Sequence, residues 1–218
     1  LRLKNYYAVT YWHRSFTRLY KDMFMKNPDN ALGEFAIREL AMCALPEEMD
    51  TIFAASGPWL KSLSVYHRIE KQFQGMKATA VGQKFTDFSG KTIDGAASSL
   101  SDFGGKGQYS LVDFGASWCG PCRSESPHIA ELYNTYKDKG LTVLGVAVWD
   151  KPENTKKAIK ELNIDWPQII DTGMTPMDLY GVKGIPFILL FGPDGTIIAR
   201  DLRGEGMKNK VAEVLNNK

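Results

Sequence analysis

The sequence predicts an α/β protein with a central sheet flanked by helices, preceded by a small all-α region. Through the first third of the chain, apolar residues recur at three- and four-residue steps, the spacing of amphipathic helices. From residue 109 to residue 180, apolar runs of strand length alternate with helical patterns, which is typical of an α/β sandwich. We therefore expect a helical region over residues 1–76 and an α/β domain over residues 77–218.

Proline and glycine divide the helical region into three or four short helices. Asn27-Pro28-Asp29 ends the first helix, and Asp29 or Asn30 can cap the second. Pro46, followed by two acids, is a good first residue for the third helix. A last helix is predicted from about Leu63 to Phe73, with its end at Gly75.

The second helix carries an apolar stripe that predicts its buried face. The members of this stripe are Leu32, Phe35, Ala36, Leu40 and Cys43. Because Cys43 belongs to the stripe, we expect a buried, inert core thiol. A role as a resolving cysteine is the alternative, and no motif supports it.

The α/β domain is predicted to open with a hairpin and then to alternate between strands and helices. Phe85–Phe88 and Thr92-Ile93 should flank a turn at Ser89-Gly90, and residues 98–106 should form a loop. The later elements are strand 109–115, helix 119–139, strand 141–149, helix 151–162, strand 166–170, helix 175–180, strands 187–191 and 196–200, and helix 205–216.

The composition excludes several classes of protein. Lys and Arg number 27 against 25 Asp and Glu, and a formal charge of +2 gives no reason to expect nucleic acid as a partner. Three cysteines are too few for a disulfide-stapled scaffold or for a zinc site of four cysteines. No apolar run approaches the roughly 20 residues of a membrane-spanning helix. The scattered histidines indicate no metal site, and no motif indicates a cofactor.

Cys119 and Cys122 lie where a buried strand turns into a helix. Two cysteines three residues apart at a helix start share one face and can close a small disulfide ring. The N–H groups and partial positive charge of the first turn should hold the pKa of Cys119 below the roughly 8.5 of a free thiol. Cys122, one turn inside, should be more buried and less ionised. The pair is expected to exchange disulfides, with Cys119 attacking and Cys122 resolving.

Two other interpretations of the cysteine pair are open. A CxxC motif can be half of a zinc site, but no second pair exists, and His128 is the only histidine nearby in the sequence. A purely structural disulfide would constrain little of the unfolded chain, because a three-residue spacing closes a very small ring. Redox chemistry is favoured over both.

The residues around the pair resemble the thioredoxin superfamily. Leu111–Phe114, Trp118–Cys122 (WCGPC) and Pro127 follow its strand–active-site–helix pattern, and Tyr180–Pro186 resembles its cis-proline loop. The resemblance implies a cis peptide bond before Pro186, packed against Cys119. The residues that it places around a bound substrate strand are Trp118, Gly120, Pro121, Ile185 and Pro186.

Within this superfamily the chain resembles the TlpA/ResA-like branch. The segment between the cysteines and Pro186 is about twenty residues longer than in plain thioredoxin, and the extra piece falls in residues 151–171. The lead-in Val81–Phe85 with its hairpin, and Ser101–Phe103, also match. The resemblance implies a thioredoxin-like fold: a central mixed sheet flanked by helices, with an N-terminal β-hairpin and a central insertion.

Two acids are candidate proton carriers. Glu125, three residues after Cys122, matches the acid beneath the active site in that branch. Asp113 occupies the position of thioredoxin's buried aspartate, which the branch often replaces with a neutral residue. A carboxyl under an apolar active site should have a raised pKa and can accept the proton of Cys122. Otherwise Glu125 would lie on a solvated helix face and Asp113 would be an ordinary strand residue.

The resemblance implies a thiol-disulfide oxidoreductase of the bacterial (Bacteroides-type) cell envelope, on the periplasmic side. The Gly-Pro dipeptide between the cysteines points to a reductase more than to an oxidase. Proteins with disulfides, apo-cytochrome c among them, would be the substrates, and an upstream thiol protein would supply electrons. Residues 1–76 resemble the region that precedes such domains, so we expect a further N-terminal segment, with any lipid or membrane anchor, before Leu1.

Two other functions stay open. The lead-in and the insertion are shared with peroxiredoxin-like proteins, in which the first cysteine reduces a peroxide. Those proteins have an upstream proline and a threonine or serine, whereas here only Ser117 stands two residues before Cys119. The second is a binding module, in which the helical region recognises a partner and the cysteine pair senses redox state.

Overall fold

The computed structural model describes residues 2–216, with side chains from residue 14 onward. The chain divides between Lys77 and Ala78 into two compact units, one helical and one α/β. The prediction of a mixed α/β protein with a helical N-terminal region is confirmed. Across the described residues, no helix combines the length and the apolar character needed to cross a membrane.

The helical unit follows the predicted pattern of caps and breaks. Its helices are α1 (Arg2–Lys26), α2 (Ala31–Cys43), α3 (Pro46–Ala55), α4 (Pro58–Lys61) and α5 (Ser64–Ala78). Asn30 caps α2, because its side-chain oxygen accepts hydrogen bonds from the backbone N–H groups of Leu32 and Gly33. Pro46 is the first residue of α3, as predicted.

The buried face of α2 is rotated by about one residue from the prediction. Leu32 and Phe35 are exposed. The buried residues are Gly33, Ala36, Ile37, Leu40 and Ala41. A β-carbon at Gly33 would collide with the main-chain oxygen of Asn27, so the backbone of α2 approaches the preceding turn closely there. The face that contains Gly33 therefore points inward, and Leu32 and Phe35 lie on the exposed side of the helix.

Two further predictions in the helical unit were wrong. Cys43 is half-buried, with its thiol 3.4 Å from the main-chain oxygen of Glu39, because it lies beside the rotated buried face. The helix predicted to stop at Gly75 continues to Ala78. Gly75 is itself buried within α5 and does not end the helix.

The α/β unit has nearly the predicted order of elements. These are β1 (Ser89–Lys91), β2 (Ala97–Ser99), β3 (Tyr109–Gly115), α6 (Gly120–Tyr136), β4 (Leu141–Ala147), α7 (Pro152–Glu161), β5 (Gln168–Ile169), α8 (Thr175–Tyr180), β6 (Phe187–Phe191), β7 (Ile197–Ala199) and α9 (Gly204–Asn216). Short 3-10 turns cover Leu100–Asp102 and Lys137–Lys139.

The N-terminal hairpin exists, but its turn was placed wrongly. Ser89 and Gly90 lie in β1, which pairs with β2, and the connection runs over residues 92–96. A β-carbon at Gly90 would collide with Ile169 and with the main-chain oxygen of Ile170. Gly90 is therefore required by the close approach of the hairpin to the end of β5, and not by a turn.

The main sheet has the order β5-β4-β3-β6-β7. β3, β4 and β5 are parallel, whereas β6 and β7 run antiparallel to their neighbours. Side chains of β3 alternate between two cores, with Val112 and Phe114 on one face and Leu111 on the face that packs against α6 and α9. Asp113 shares the face of Leu111, and this places a carboxyl beneath α6.

Candidate active site

Cys119 and Cys122 form a disulfide at the start of α6, directly after the loop that follows β3. The S–S distance is 2.05 Å and the Cα atoms are 5.3 Å apart. Cys119 is the N-cap of α6, and its sulfur accepts a hydrogen bond of 3.2 Å from the backbone N–H of Cys122. The same N–H group would stabilise a thiolate at Cys119 in the reduced pair.

The expected difference in burial between the two cysteines is not present in the disulfide form. Cys119 is 4% exposed and Cys122 is 6% exposed. The bond between them ties the Cys119 sulfur to the first turn of α6, so both sulfurs lie under the surface.

A carboxylate that the sequence analysis missed holds the loop before Cys119. Asp150 follows β4, and its oxygens accept hydrogen bonds from the backbone N–H and the hydroxyl of Ser117, at 2.7 and 3.0 Å. It also accepts from the hydroxyl of Thr155 at 2.8 Å and from the backbone N–H of Lys151 at 2.9 Å. Burial opposes ionisation of Asp150, but these hydrogen bonds outweigh it and lower its pKa. An acid directly after a buried parallel strand was the signal that could have identified it.

Trp118 stands on the surface beside the disulfide, with 60% of its area exposed. Its indole N–H donates to the main-chain oxygen of Trp149 at 2.9 Å. The ring is thus fixed from the β4 side while most of its surface remains open to solvent.

The Ile185–Pro186 peptide bond is cis, as the resemblance implies. Pro186 directly precedes β6, in which Phe187 is paired with Phe114 of β3. This register puts Pro186 beside the end of β3, where the chain leaves the sheet toward Cys119.

Asp113 lies under the disulfide. Its Oδ2 atom and the Cys122 sulfur each lie 3.8 Å from the point that a β-carbon of Gly115 would occupy. Its Oδ1 atom is buried and has no hydrogen-bond partner among the described residues. Burial, and secondly the negative charge of Glu125, raise the pKa of Asp113 to about 7, while the positive charge of Arg203 acts in the opposite direction.

Glu125 is half-buried, one turn along α6 from Cys122. Its Oε2 atom accepts a hydrogen bond of 2.9 Å from the backbone N–H of Gly204, the first residue of α9. Glu125 therefore binds the N-terminus of α9, and its charge also acts on Asp113.

A cleft of about 60 Å³ opens on the α6 face of the sheet. Asp113 and Cys122 line it, and α7 with the segment leading to β5 forms its other wall. The remaining polar lining comes from Ser117, Arg123, Ser126, Thr155 and Gln168. No group of side chains suited to a metal ion is present in the part of the chain that the structure describes.

A CxxC disulfide at a helix start, next to a cis-proline on a mixed sheet, defines the class of thioredoxin-like thiol-disulfide oxidoreductases. Residues 81–200 match the model of the AhpC/TSA family, and the chain belongs to this family.

Named relatives agree with this class. "Thiol-disulfide oxidoreductase ResA" of Bacillus thuringiensis subsp. konkukian is 34% identical over 130 residues, 60% of this chain and 70% of that protein. The ResA protein of Geobacillus thermodenitrificans is 31% identical over 125 residues, 57% of this chain and 71% of that protein. The chain is therefore a ResA/TlpA-like thiol-disulfide oxidoreductase.

The chain is also similar to solved structures of thiol-disulfide oxidoreductases. The thioredoxin domain of a thiol-disulfide oxidoreductase from Bacteroides vulgatus matches with a TM-score of 0.58 and 37% identity, covering 63% of this chain and 99% of that one. A thiol:disulfide interchange protein from Bacteroides sp. matches with a TM-score of 0.59 and 36% identity, covering 64% and 92%.

Proposed function

We propose that this oxidoreductase reduces protein disulfides in the bacterial cell envelope, with the WCGPC segment as its active site. The observation that supports this most directly is the Cys119–Cys122 disulfide at the N-terminus of α6, with a buried carboxyl behind it. Apo-cytochrome c is among the substrates that we propose, from the resemblance to ResA.

The first step is the attack of the Cys119 thiolate on a substrate disulfide. A bond forms between the Cys119 sulfur and one substrate sulfur, and the substrate S–S bond breaks. The other substrate sulfur leaves as a thiolate and takes a proton from solvent. The N–H group of Cys122, which already contacts the Cys119 sulfur, supports the thiolate before the attack.

The second step releases the substrate. The Cys122 thiol transfers its proton to the Asp113 carboxylate and attacks the Cys119 sulfur. The Cys119–Cys122 disulfide forms, the mixed disulfide breaks, and the second substrate sulfur leaves as a thiolate that is protonated by solvent. The substrate has then gained two electrons. An upstream dithiol protein reduces the Cys119–Cys122 disulfide again and is itself oxidised to a disulfide.

Asp113 and Glu125 have different roles in the proposed proton transfer. A pKa of about 7 lets Asp113 both accept and release a proton near neutral pH. Glu125 is engaged with the N-terminus of α9 and supports Asp113 through its charge. Both residues belong to the proton machinery, with Asp113 as the direct acceptor.

The substrate strand is proposed to lie against the cis-proline loop and the helix start. The residues that would contact it are Trp118, Gly120, Pro121, Ile185 and Pro186. The exposed Trp118 ring supports this assignment, because a large aromatic surface next to the disulfide favours binding of an extended peptide.

We also propose the periplasmic side of the envelope as the location, with an N-terminal membrane anchor, as the resemblance to envelope oxidoreductases implies. The division between Lys77 and Ala78 supports two domains, residues 1–76 and 77–218. The thiol pair itself needs no metal or cofactor in this scheme.

One assay separates this function from peroxide reduction. We expect the reduced protein to cleave insulin disulfides with dithiothreitol as the donor, and to consume hydrogen peroxide no faster than the Cys119→Ser variant does. Rapid peroxide turnover without insulin reduction would contradict the proposal. If the protein shows neither activity, the result would favour a redox-sensing binding module as its function.

A further inference from the structure

Asp113, Gly145 and Gln168 form one row across three neighbouring strands. Asp113 on β3 is in register with Gly145 on β4, and Gly145 is in register with Gln168 on β5. Residues paired in this way point to the same face of a sheet. Asp113 and Gln168 therefore share the face beneath α6, with only a glycine between them.

The glycine lets the Gln168 side chain extend toward Asp113. A β-carbon at Gly145 would collide with the amide group of Gln168, so that amide lies directly above β4. The Nε2 atom of Gln168 donates to the main-chain oxygen of Trp166 at 3.3 Å, which fixes the orientation of the amide.

The cleft joins these groups to solvent. Asp113, Gln168 and Cys122 all line it. A water molecule needs about 10–15 Å³ of cavity volume and two to four polar partners in a protein. The cleft, of about 60 Å³, therefore has room for a few water molecules, and the unpartnered Oδ1 atom of Asp113 and the Gln168 amide supply polar contacts.

We propose that this cleft is the path by which the proton on Asp113 returns to solvent, and that Gln168 positions the water that receives it. The inference rests on the proposed role of Asp113 as acceptor of the Cys122 proton. After Cys122 has attacked, the O–H bond of the Asp113 carboxyl breaks and the proton passes to a water molecule in the cleft. The carboxylate is restored for the next cycle, and no electrons move.

The chemistry of Gln168 suits this role. The cleft wall around it is otherwise largely apolar, with Val146, Leu162 and Ile164 among its members. An amide both donates and accepts hydrogen bonds, so it can hold a water molecule in either protonation state of Asp113. Because it carries no charge, it does not lock Asp113 in the ionised form as a lysine or arginine would.

The test compares Gln168→Leu with the unaltered chain in two measurements. The first is the pH profile of substrate release over repeated turnovers, since Asp113 must return its proton once per cycle, and the second is the titration of Asp113 by its carboxyl infrared band. We expect the titration to move above pH 7 and release to slow in neutral buffer but to recover at alkaline pH. If the titration midpoint rises by one pH unit, release well below the original midpoint should slow about tenfold.

A second variant keeps the test decisive if Gln168→Leu does not fold, and a third serves as the control. Gly145→Ala should displace the amide and shift both measurements in the same direction. Gln108→Leu is the matched control, since Gln108 is exposed and bonds Thr142 near the opposite end of β4. It should leave both measurements unchanged.

Two results would overturn the inference. Equal slowing at every pH with an unmoved Asp113 titration would show that Gln168 only fills space. An unchanged profile in both Gln168→Leu and Gly145→Ala would show that the amide is not used. The proposed function fails separately, and this inference with it, if Asp113→Asn itself keeps the rate and pH profile of the unaltered chain.

Discussion

Asp113 and Cys122 both approach Gly115 beneath the active-site disulfide. The Oδ2 atom of one and the sulfur of the other lie 3.8 Å from the same point above the glycine. A carboxyl with its pKa raised to about 7 is thus near the thiol that would lose a proton in the proposed release step. The proposed chemistry depends on this pairing.

Asp113→Asn should stabilise the fold at alkaline pH. The pKa of about 7 in the folded state lies above the roughly 4 of an unfolded aspartate, so the folded protein binds this proton more tightly. The resulting stability is complete below about pH 4 and is lost as the pH rises to 7. Three pH units correspond to at most about 4 kcal/mol of unfolding free energy.

Urea unfolding of Asp113→Asn at pH 4 and pH 8 measures this effect. The variant should gain stability relative to the unaltered chain at pH 8 and gain much less at pH 4. Asp138→Asn, in an exposed turn, is the control and should show no such difference. Equal changes at the two pH values would mean that Asp113 is already ionised without penalty in the folded state.

Glu125→Gln should lower the pKa of Asp113 below about 7. The substitution removes the negative charge that raises this pKa, but it keeps an oxygen that can accept from the Gly204 N–H. The carboxyl infrared band of Asp113 should titrate at lower pH, and the acidic limb of the activity profile should follow. An unmoved titration would mean that the charge of Glu125 does not reach Asp113.

Asp150→Ala should loosen the loop that carries Trp118 and Cys119. It leaves the N–H and hydroxyl of Ser117 without their partner, a loss of about 1–3 kcal/mol in unfolding free energy at neutral pH. Because the pKa of Asp150 is lowered, this contribution is present at neutral pH and is lost as the solution becomes strongly acidic.

A double-mutant cycle with Ser117→Ala tests the assignment. Ser117→Ala removes only the hydroxyl bond to Asp150, so the two losses should not add. Additive losses in the double variant would show that the two side chains are not coupled.

Gly33→Ala should destabilise the helical unit, because its β-carbon would collide with the main-chain oxygen of Asn27. Gly206→Ala is the matched control, since it is an exposed helical position with open space around it. Alanine there should instead stabilise α9 by up to about 1 kcal/mol. Hydrogen exchange of the full chain can measure each unit. Equal protection of α2 in both variants would contradict the close approach at Gly33.

Local patterns predicted much of the fold. β3, α8 and β6 have the predicted bounds, because each is a short apolar or proline-initiated run with clear breaks. The glycines at positions 75 and 90 misled the prediction, since Gly75 lies buried inside α5 and Gly90 allows the close approach of β1 to the end of β5. Such packing depends on a distant segment, which local spacing cannot reveal.

The sequence likewise predicted only part of the candidate site. The cysteine pair and the cis-proline are recognisable from neighbouring residues in the sequence. Asp150 and Gln168 lie at the site only because β4 and β5 pair in one particular register. The space for the Gln168 side chain also depends on Gly145. A single sequence carries no direct record of that register.

Trapping with Cys122→Ser tests the division of roles between the cysteines most directly. The variant can still attack through Cys119 but cannot resolve, so it should accumulate mixed disulfides with proteins of an envelope extract that dithiothreitol releases. Cys119→Ser should trap nothing and should lack insulin reduction. Adducts on Cys119→Ser, with none on Cys122→Ser, would contradict the assignment of Cys119 as the attacking thiol.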